Sequence, residues 1–172
     1  MIAAITGAAY KNSLDTYLGK QYCKLSTKHP LTITFAVGGA GAQRELGTTI
    51  LESLHEEIDT GKIRLNLVAG SRNDVYRYYE NKVKELNLEK HHGGTVNIIY
   101  AKHKMEYFTE FNQVLKTTDI LWTKPSELSF YTALGLPIIV APPLGSHEIM
   151  NQKWLAKMGS GFSQENPDYC IE

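Results

Sequence analysis

Short β-rich runs alternate with helical stretches along this chain, and that alternation limits the fold more than any other feature. Leu31-Thr-Ile-Thr-Phe-Ala-Val37 is β-branched and apolar, and two glycines follow it. Between Gln43 and Ile58, Leu46, Ile50, Leu51, Leu54 and Ile58 recur at helical spacing. Ile63–Ala69 is a second strand, with Gly61 stopping the helix before it. Asp74–Leu88 reads as a polar helix with Tyr and Val on one face, and Tyr76, Tyr78 and Tyr79 cover that face. Thr95–Ala101 is a third strand after the turn His92-Gly-Gly94. Met105–Lys116 then places Met105, Phe108, Phe111, Val114 and Leu115 on one helical face. Asp119–Thr123 is a short fourth strand, and Ser126–Leu134 a short helix. Pro137–Ala141 is apolar throughout, as suits the middle of a parallel sheet. Ser146–Met158 is a last helix, stopped by Gly159. This order predicts βαβ units: an α/β, Rossmann-like open parallel sheet of about five to six strands with helices on both faces. Asn66 and Asn97 inside strands imply a less buried sheet edge, while Trp122 and Trp154 are expected to be partly buried in the core. Residues 1–30 fit the pattern poorly and read as an arm, leaving 31–172 as the domain.

Composition narrows the function classes. The 172 residues are room for one domain and its core. Lys plus Arg and Asp plus Glu both total 18, so formal charge is zero. A general nucleic-acid or anionic-membrane binder would need an excess of cations. A small local anion site remains compatible. Cys23 and Cys170 belong to no Cys-x-x-Cys pair and read as free thiols. His91 and His92 sit in a glycine turn with no third ligand at useful spacing, so no metal site is expected. No apolar run reaches the ~20 residues of a membrane span, and the start lacks a signal-peptide pattern. A cytoplasmic protein is the expectation.

Ligands of open parallel α/β sheets bind beyond the carboxyl ends of the strands. Three segments fall there. In Val37-Gly-Gly-Ala-Gly-Ala-Gln43, glycines after a strand admit close approach of an anion to backbone N–H groups, and a helix N-terminus follows. Gly38, Gly39, Ala40, Gly41 and Gln43 therefore suit a diphosphate, or equally form a tight turn. No Gly-Lys-Ser/Thr follows, so it is no P-loop. Arg44 stands where the dinucleotide fingerprint needs its third glycine, and no acid ends the next strand, which disfavours a nicotinamide dehydrogenase. In Thr123-Lys-Pro-Ser-Glu-Leu-Ser129, Ser126 can cap a helix, and Glu127 serves either the helix dipole or ribose hydroxyls. In Ala141-Pro-Pro-Leu-Gly-Ser-His-Glu-Ile-Met-Asn151, Ser146, His147, Glu148 and Asn151 resemble a sugar site more than a solvated face, although Ser146 and Glu148 could simply start a helix.

Taken in order, the glycine segment, Asp119-Ile-Leu-Trp-Thr-Lys-Pro125, Gly135-Leu-Pro137 and Gly145-Ser-His-Glu-x-x-Asn151 resemble the C-terminal, donor-binding domain of GT-B-fold glycosyltransferases. Similar members include the bacterial UDP-N-acetylglucosamine transferases of peptidoglycan precursor synthesis, plant galactolipid synthases and the donor-binding subunit of the dolichol-linked GlcNAc transferase. The resemblance covers about Thr6 to Phe162 and implies one half of a GT-B fold. It implies that Lys11, in Thr6-Gly-Ala-Ala-Tyr-Lys11, stands where the family has a diphosphate-binding arginine. Lysine keeps that charge but loses the bidentate fork. It further implies uracil contacts around Ala101 and Lys102, and donor-sugar contacts from His147, Glu148 and Asn151.

Two departures shape the expectation. The helix segment between Thr123 and Gly135 is shorter than the family's, so the ribose-binding glutamate falls near Phe130 or Thr132, and Glu127 is its substitute one turn earlier. Nothing resembles the acceptor domain, so catalytic residues are unassigned and the resemblance implies an excised domain or a subunit needing a partner, through which membrane contact would come. The expected function is donor binding for transfer from a UDP-sugar, such as UDP-GlcNAc, to an acceptor hydroxyl, without metal or other cofactor. The rivals are a UDP-sugar 2-epimerase or hydrolase and a non-catalytic nucleotide-binding or interaction module.

Overall fold

The computed structural model describes residues 29–36, 43–125, 128–133 and 135–170. Six parallel strands form one sheet: β1 (Leu31–Ala36), β2 (Ile63–Gly70), β3 (Val96–Tyr100), β4 (Ile120–Thr123), β5 (Ile138–Val140) and β6 (Gly161–Ser163). Their spatial order is β3-β2-β1-β4-β5-β6. The helices between them are α1 (Arg44–Ser53), α2 (His55–Asp59), α3 (Asn73–Glu85), α4 (Lys104–Leu115), α5 (Leu128–Ala133) and α6 (Ser146–Met158). The chain is thus a Rossmann-like α/β domain, as the alternation predicts.

Strand alternation assigns the two faces. Ile33, Phe35, Leu65, Leu67, Ile120 and Trp122 point to one side, where they pack with Ile50, Leu51, Ile58, Val75, Tyr79 and Val83 of α1, α2 and α3. Ala36, Val68, Leu121, Ile138 and Val140 point to the other, against Phe111, Tyr131 and Leu155 of α4, α5 and α6. Phe35 meets Trp122 edge-on at 6.4 Å between ring centroids, and Phe111 meets Tyr131 likewise.

Four details differ from the sequence expectation. The stretch 43–58 is two helices, because Leu54 leaves helical geometry at φ −99° and ψ 11°. Tyr79 does not cover a helix face but is fully buried, and burial raises its phenol above the usual range. Trp154 is exposed on α6 rather than in the core, whereas Trp122 is buried and its indole N–H donates to Gln164 Oε1.

The last difference is Asn66. It lies on a central strand, only 3% exposed, and does not mark an edge. A one-way chain of hydrogen bonds accounts for it. Asn97 Nδ2 donates to Asn66 Oδ1, Asn66 Nδ2 to Thr34 Oγ1, and the Thr118 hydroxyl to Val114 O. The 2.7 Å bond between the Thr34 and Thr118 hydroxyls is then donated by Thr34. Satisfied polar groups can be buried across a sheet at little net cost. Asn97 itself, on edge strand β3, is half-buried as expected.

Candidate functional site

The strand order reverses between β1 and β4. From β1 the chain builds outward through β2 and β3, then returns to lay β4 on the other side of β1. In open α/β sheets, ligands bind beyond the carboxyl ends of the strands at such a topological switch point. The registers pair Ala36 with Thr123, so Lys124 is the first residue beyond β4 at this edge.

Several bonds fix this edge. The Thr123 hydroxyl donates to Ala36 O at 2.6 Å, tying β4 to β1. Ala141 N donates to Thr123 O, bringing in the segment after β5. Gln43 Nε2 donates to Pro142 O of that segment at 3.1 Å. Asn151 Nδ2 of α6 donates to Pro125 O at 2.7 Å. The ends of β1, β4 and β5 and the starts of α1 and α6 thus form one frame.

Gln43 is unusual twice over. It holds the left-handed conformation at φ 68° and ψ 24° immediately before α1, a geometry costing a non-glycine residue roughly 1–2 kcal/mol. Its side-chain Oε1 is buried and, among the described residues, accepts no hydrogen bond. Exchanging the amide's O and N would face that oxygen against Pro142 O, so the orientation is fixed chemically. The Gln43 side chain does not cap the α1 N-terminus.

Lys124 and Glu148 are both buried here, 8% and 7% exposed. Glu148 Oε2 accepts the Leu144 backbone N–H at 2.6 Å, and its Oε1 lies 3.9 Å from Lys124 Nζ. Among the described residues, no group of three or more His, Cys, Asp or Glu side chains could hold a metal ion.

The structure gathers some predicted residues and spreads others. Gln43, Glu148 and Asn151 share the frame at the switch point. Ser146 and His147 open α6 and are exposed. Ala101 is buried and donates its N–H to Gly70 O, while Lys102 is exposed. Both follow β3, two strands or roughly 10 Å from β1. Lys11, Gly38, Gly39, Ala40, Gly41, Ser126, Glu127 and Cys23 lie outside the described residues. Cys170 is a free thiol whose pKa burial raises. His91 bonds Asp59 at the far end of the sheet, away from the site. Sequence reasoning passed over Lys124. Its signal is a lysine directly after the strand Ile120-Leu-Trp-Thr123, where a parallel sheet puts its ligand edge.

Residues 18–95 and 83–167 match the family described as Domain of unknown function (DUF6938). The chain belongs to that family. A search of the curated proteins found no match for this DUF6938 member. Among solved structures it is similar to the NMR solution structure of ALG13, with a TM-score of 0.46 and 16% sequence identity over 78% of each chain. The assignment of the DUF6938 fold stands on its own strand order and register. No helix among the described residues is long and apolar enough to cross a membrane.

Proposed function

We propose that this DUF6938 domain binds a UDP-sugar at the crevice between β1 and β4 and acts as the donor-binding half of a glycosyltransferase. One observation carries the reading: in sequence, the glycine-rich stretch 38–41 lies between β1 and α1 at the topological switch point, where Gln43 is held in a left-handed turn before a helix N-terminus that its side chain does not cap. Backbone N–H groups and a helix dipole there favour an anion. In this reading Lys11 and the segment from Gly38 to Gln43 hold the diphosphate, and Ala101 and Lys102 border the uracil. Ser126, Glu127, Ser146, His147, Glu148 and Asn151 serve the ribose and sugar. Fixed dipoles stabilise the departing UDP while an acceptor hydroxyl attacks the anomeric carbon. The acceptor site and general base come from a further domain or partner.

Titration calorimetry and amide NMR with UDP, UDP-GlcNAc and dTDP test this. Saturable heat with UDP and shifts at Gly38–Gln43 are expected. No heat and no shift there with any of the three refutes it. Because Glu148 already accepts a backbone N–H inside the fold, a non-catalytic nucleotide-binding module is the second reading. Its mark is binding of UDP with no discrimination between UDP and UDP-GlcNAc.

A further inference from the structure

We infer that Lys124 is an anion-binding residue of the switch-point crevice, its ammonium reserved for a phosphoryl oxygen, with Glu148 as its resting counter-ion. The inference deepens the sugar-nucleotide reading and rests on it for the identity of the ligand, though the phosphoryl chemistry stands on Lys124 itself.

Burying an ammonium and a carboxylate carries a desolvation penalty of several kcal/mol per ion, recovered only when geometry is close and the remaining protons and lone pairs are bonded. Here the geometry is not close. At 3.9 Å, Lys124 Nζ and Glu148 Oε1 attract each other but lie beyond hydrogen-bond length. The Lys124 side chain is 9% exposed, so water reaches little of it. Among the described residues, its ammonium donates no hydrogen bond. Glu148 is better placed, because its other oxygen is spent on Leu144 N. The carboxylate is therefore anchored, and the ammonium has donors unspent.

Position says what those donors await. Lys124 is the first residue beyond β4, at the carboxyl edge of the sheet where α1 also presents its N-terminus. Two positive features of different origin thus converge in a chain with zero formal charge. Gln43 Oε1, buried at the same edge and unpartnered among the described residues, is an acceptor waiting for a donor. A ligand with anionic oxygens and hydroxyl groups meets both needs. A phosphorylated sugar or nucleoside has both, while a bare carboxylate or an apolar ligand does not.

The test uses the full chain, with inorganic diphosphate and UDP as probes and uridine as the phosphate-free control. In wild-type protein, NMR of the Lys124 ammonium should show a shift on saturation with diphosphate or UDP and none with uridine. A second arm compares Lys124→Arg with the double variant Lys124→Met/Glu148→Gln, which removes both buried charges together and so leaves neither unpaired. Loss of about tenfold or more in diphosphate affinity is expected for the double variant, with retention within a few-fold for the arginine variant. Binding of UDP with an unmoved Lys124 ammonium, or at unchanged affinity in the folded double variant, overturns this inference and leaves the sugar-nucleotide reading intact. Lys124-dependent binding of inorganic diphosphate without affinity for UDP supports this inference and overturns that reading. No binding of either probe overturns both.

Discussion

At the scale of single residues, Gly47 shows how tertiary contacts reverse a local preference. A glycine inside a helix normally costs roughly 1 kcal/mol against alanine. Gly47 lies in α1, yet a Cβ added there would sit 2.9 Å from Phe35 Cε1 and 2.9 Å from Tyr79 Oη. Both neighbours are fully buried and have nowhere to move. Gly47→Ala should therefore destabilise the domain by about 1–3 kcal/mol, read from urea unfolding midpoints. An increase in stability would show that the α1–β1 contact is looser than this. The same contact bears on the site, because α1 is the helix whose N-terminus faces the crevice. Lys124 is the converse case. Its identity was visible in the sequence, but nothing in the chain around it announces that its partner is Glu148, 24 positions later. Only the return of the chain through β5 to α6 brings the two together.

At the scale of elements, local pattern located every strand from β1 to β5 to within a few residues, and the helices likewise, except that α1 and α2 read as one. It did so because each strand is apolar or β-branched and helices such as α1 and α3 carry an apolar stripe, which are local properties. It gave no position for β6, whose three residues, Gly161–Ser163, carry no β-rich pattern and owe their place to pairing with β5. It also misread Asn66, because a polar residue inside a strand looks like an edge unless its partners are known. Those partners lie on three other segments, and the chain from Asn97 through Asn66 and Thr34 to Thr118 crosses β3, β2 and β1. Thr34→Val keeps the shape but removes both an acceptor and a donor. It should leave Asn66 Nδ2 and the Thr118 oxygen without this partner at a cost of about 1–3 kcal/mol. Combining it with Asn66→Leu should cost less than the sum of the single changes, measured as a double-mutant cycle. Strict additivity would mean the two groups are not coupled.

At the scale of the whole molecule, the sheet order sets both stability and site. β1, β2 and β4 have a neighbour on each side and are almost entirely buried, whereas β3 and β6 are the edges. Amide hydrogen exchange should therefore be slowest in β1, β2 and β4, with β3 and β6 opening earlier. Equal protection at the edges would contradict this order. Exposed ion pairs are spent elsewhere. Hydrogen bonds from Lys90 and then His91 hold the Asp59 carboxyl at about 2, but this pair lies by the amino end of β2, opposite the crevice.

The sequence by itself determined the class of the fold. Alternating periods of two and 3.6 residues are written in neighbouring residues, and right-handed parallel crossovers leave few ways to assemble them. It also pointed to the three carboxyl-end segments, since glycine and proline after a strand are local signals. Tertiary structure alone decided which ends meet. The reversal between β1 and β4 brings Gln43, Lys124, Glu148 and Asn151 to one carboxyl edge of the sheet, although they are spread over more than 100 positions. It also decided burial, turning an ordinary lysine into an ammonium with unspent donors. Pairing and burial depend on residues distant in the chain, so no local pattern could carry them.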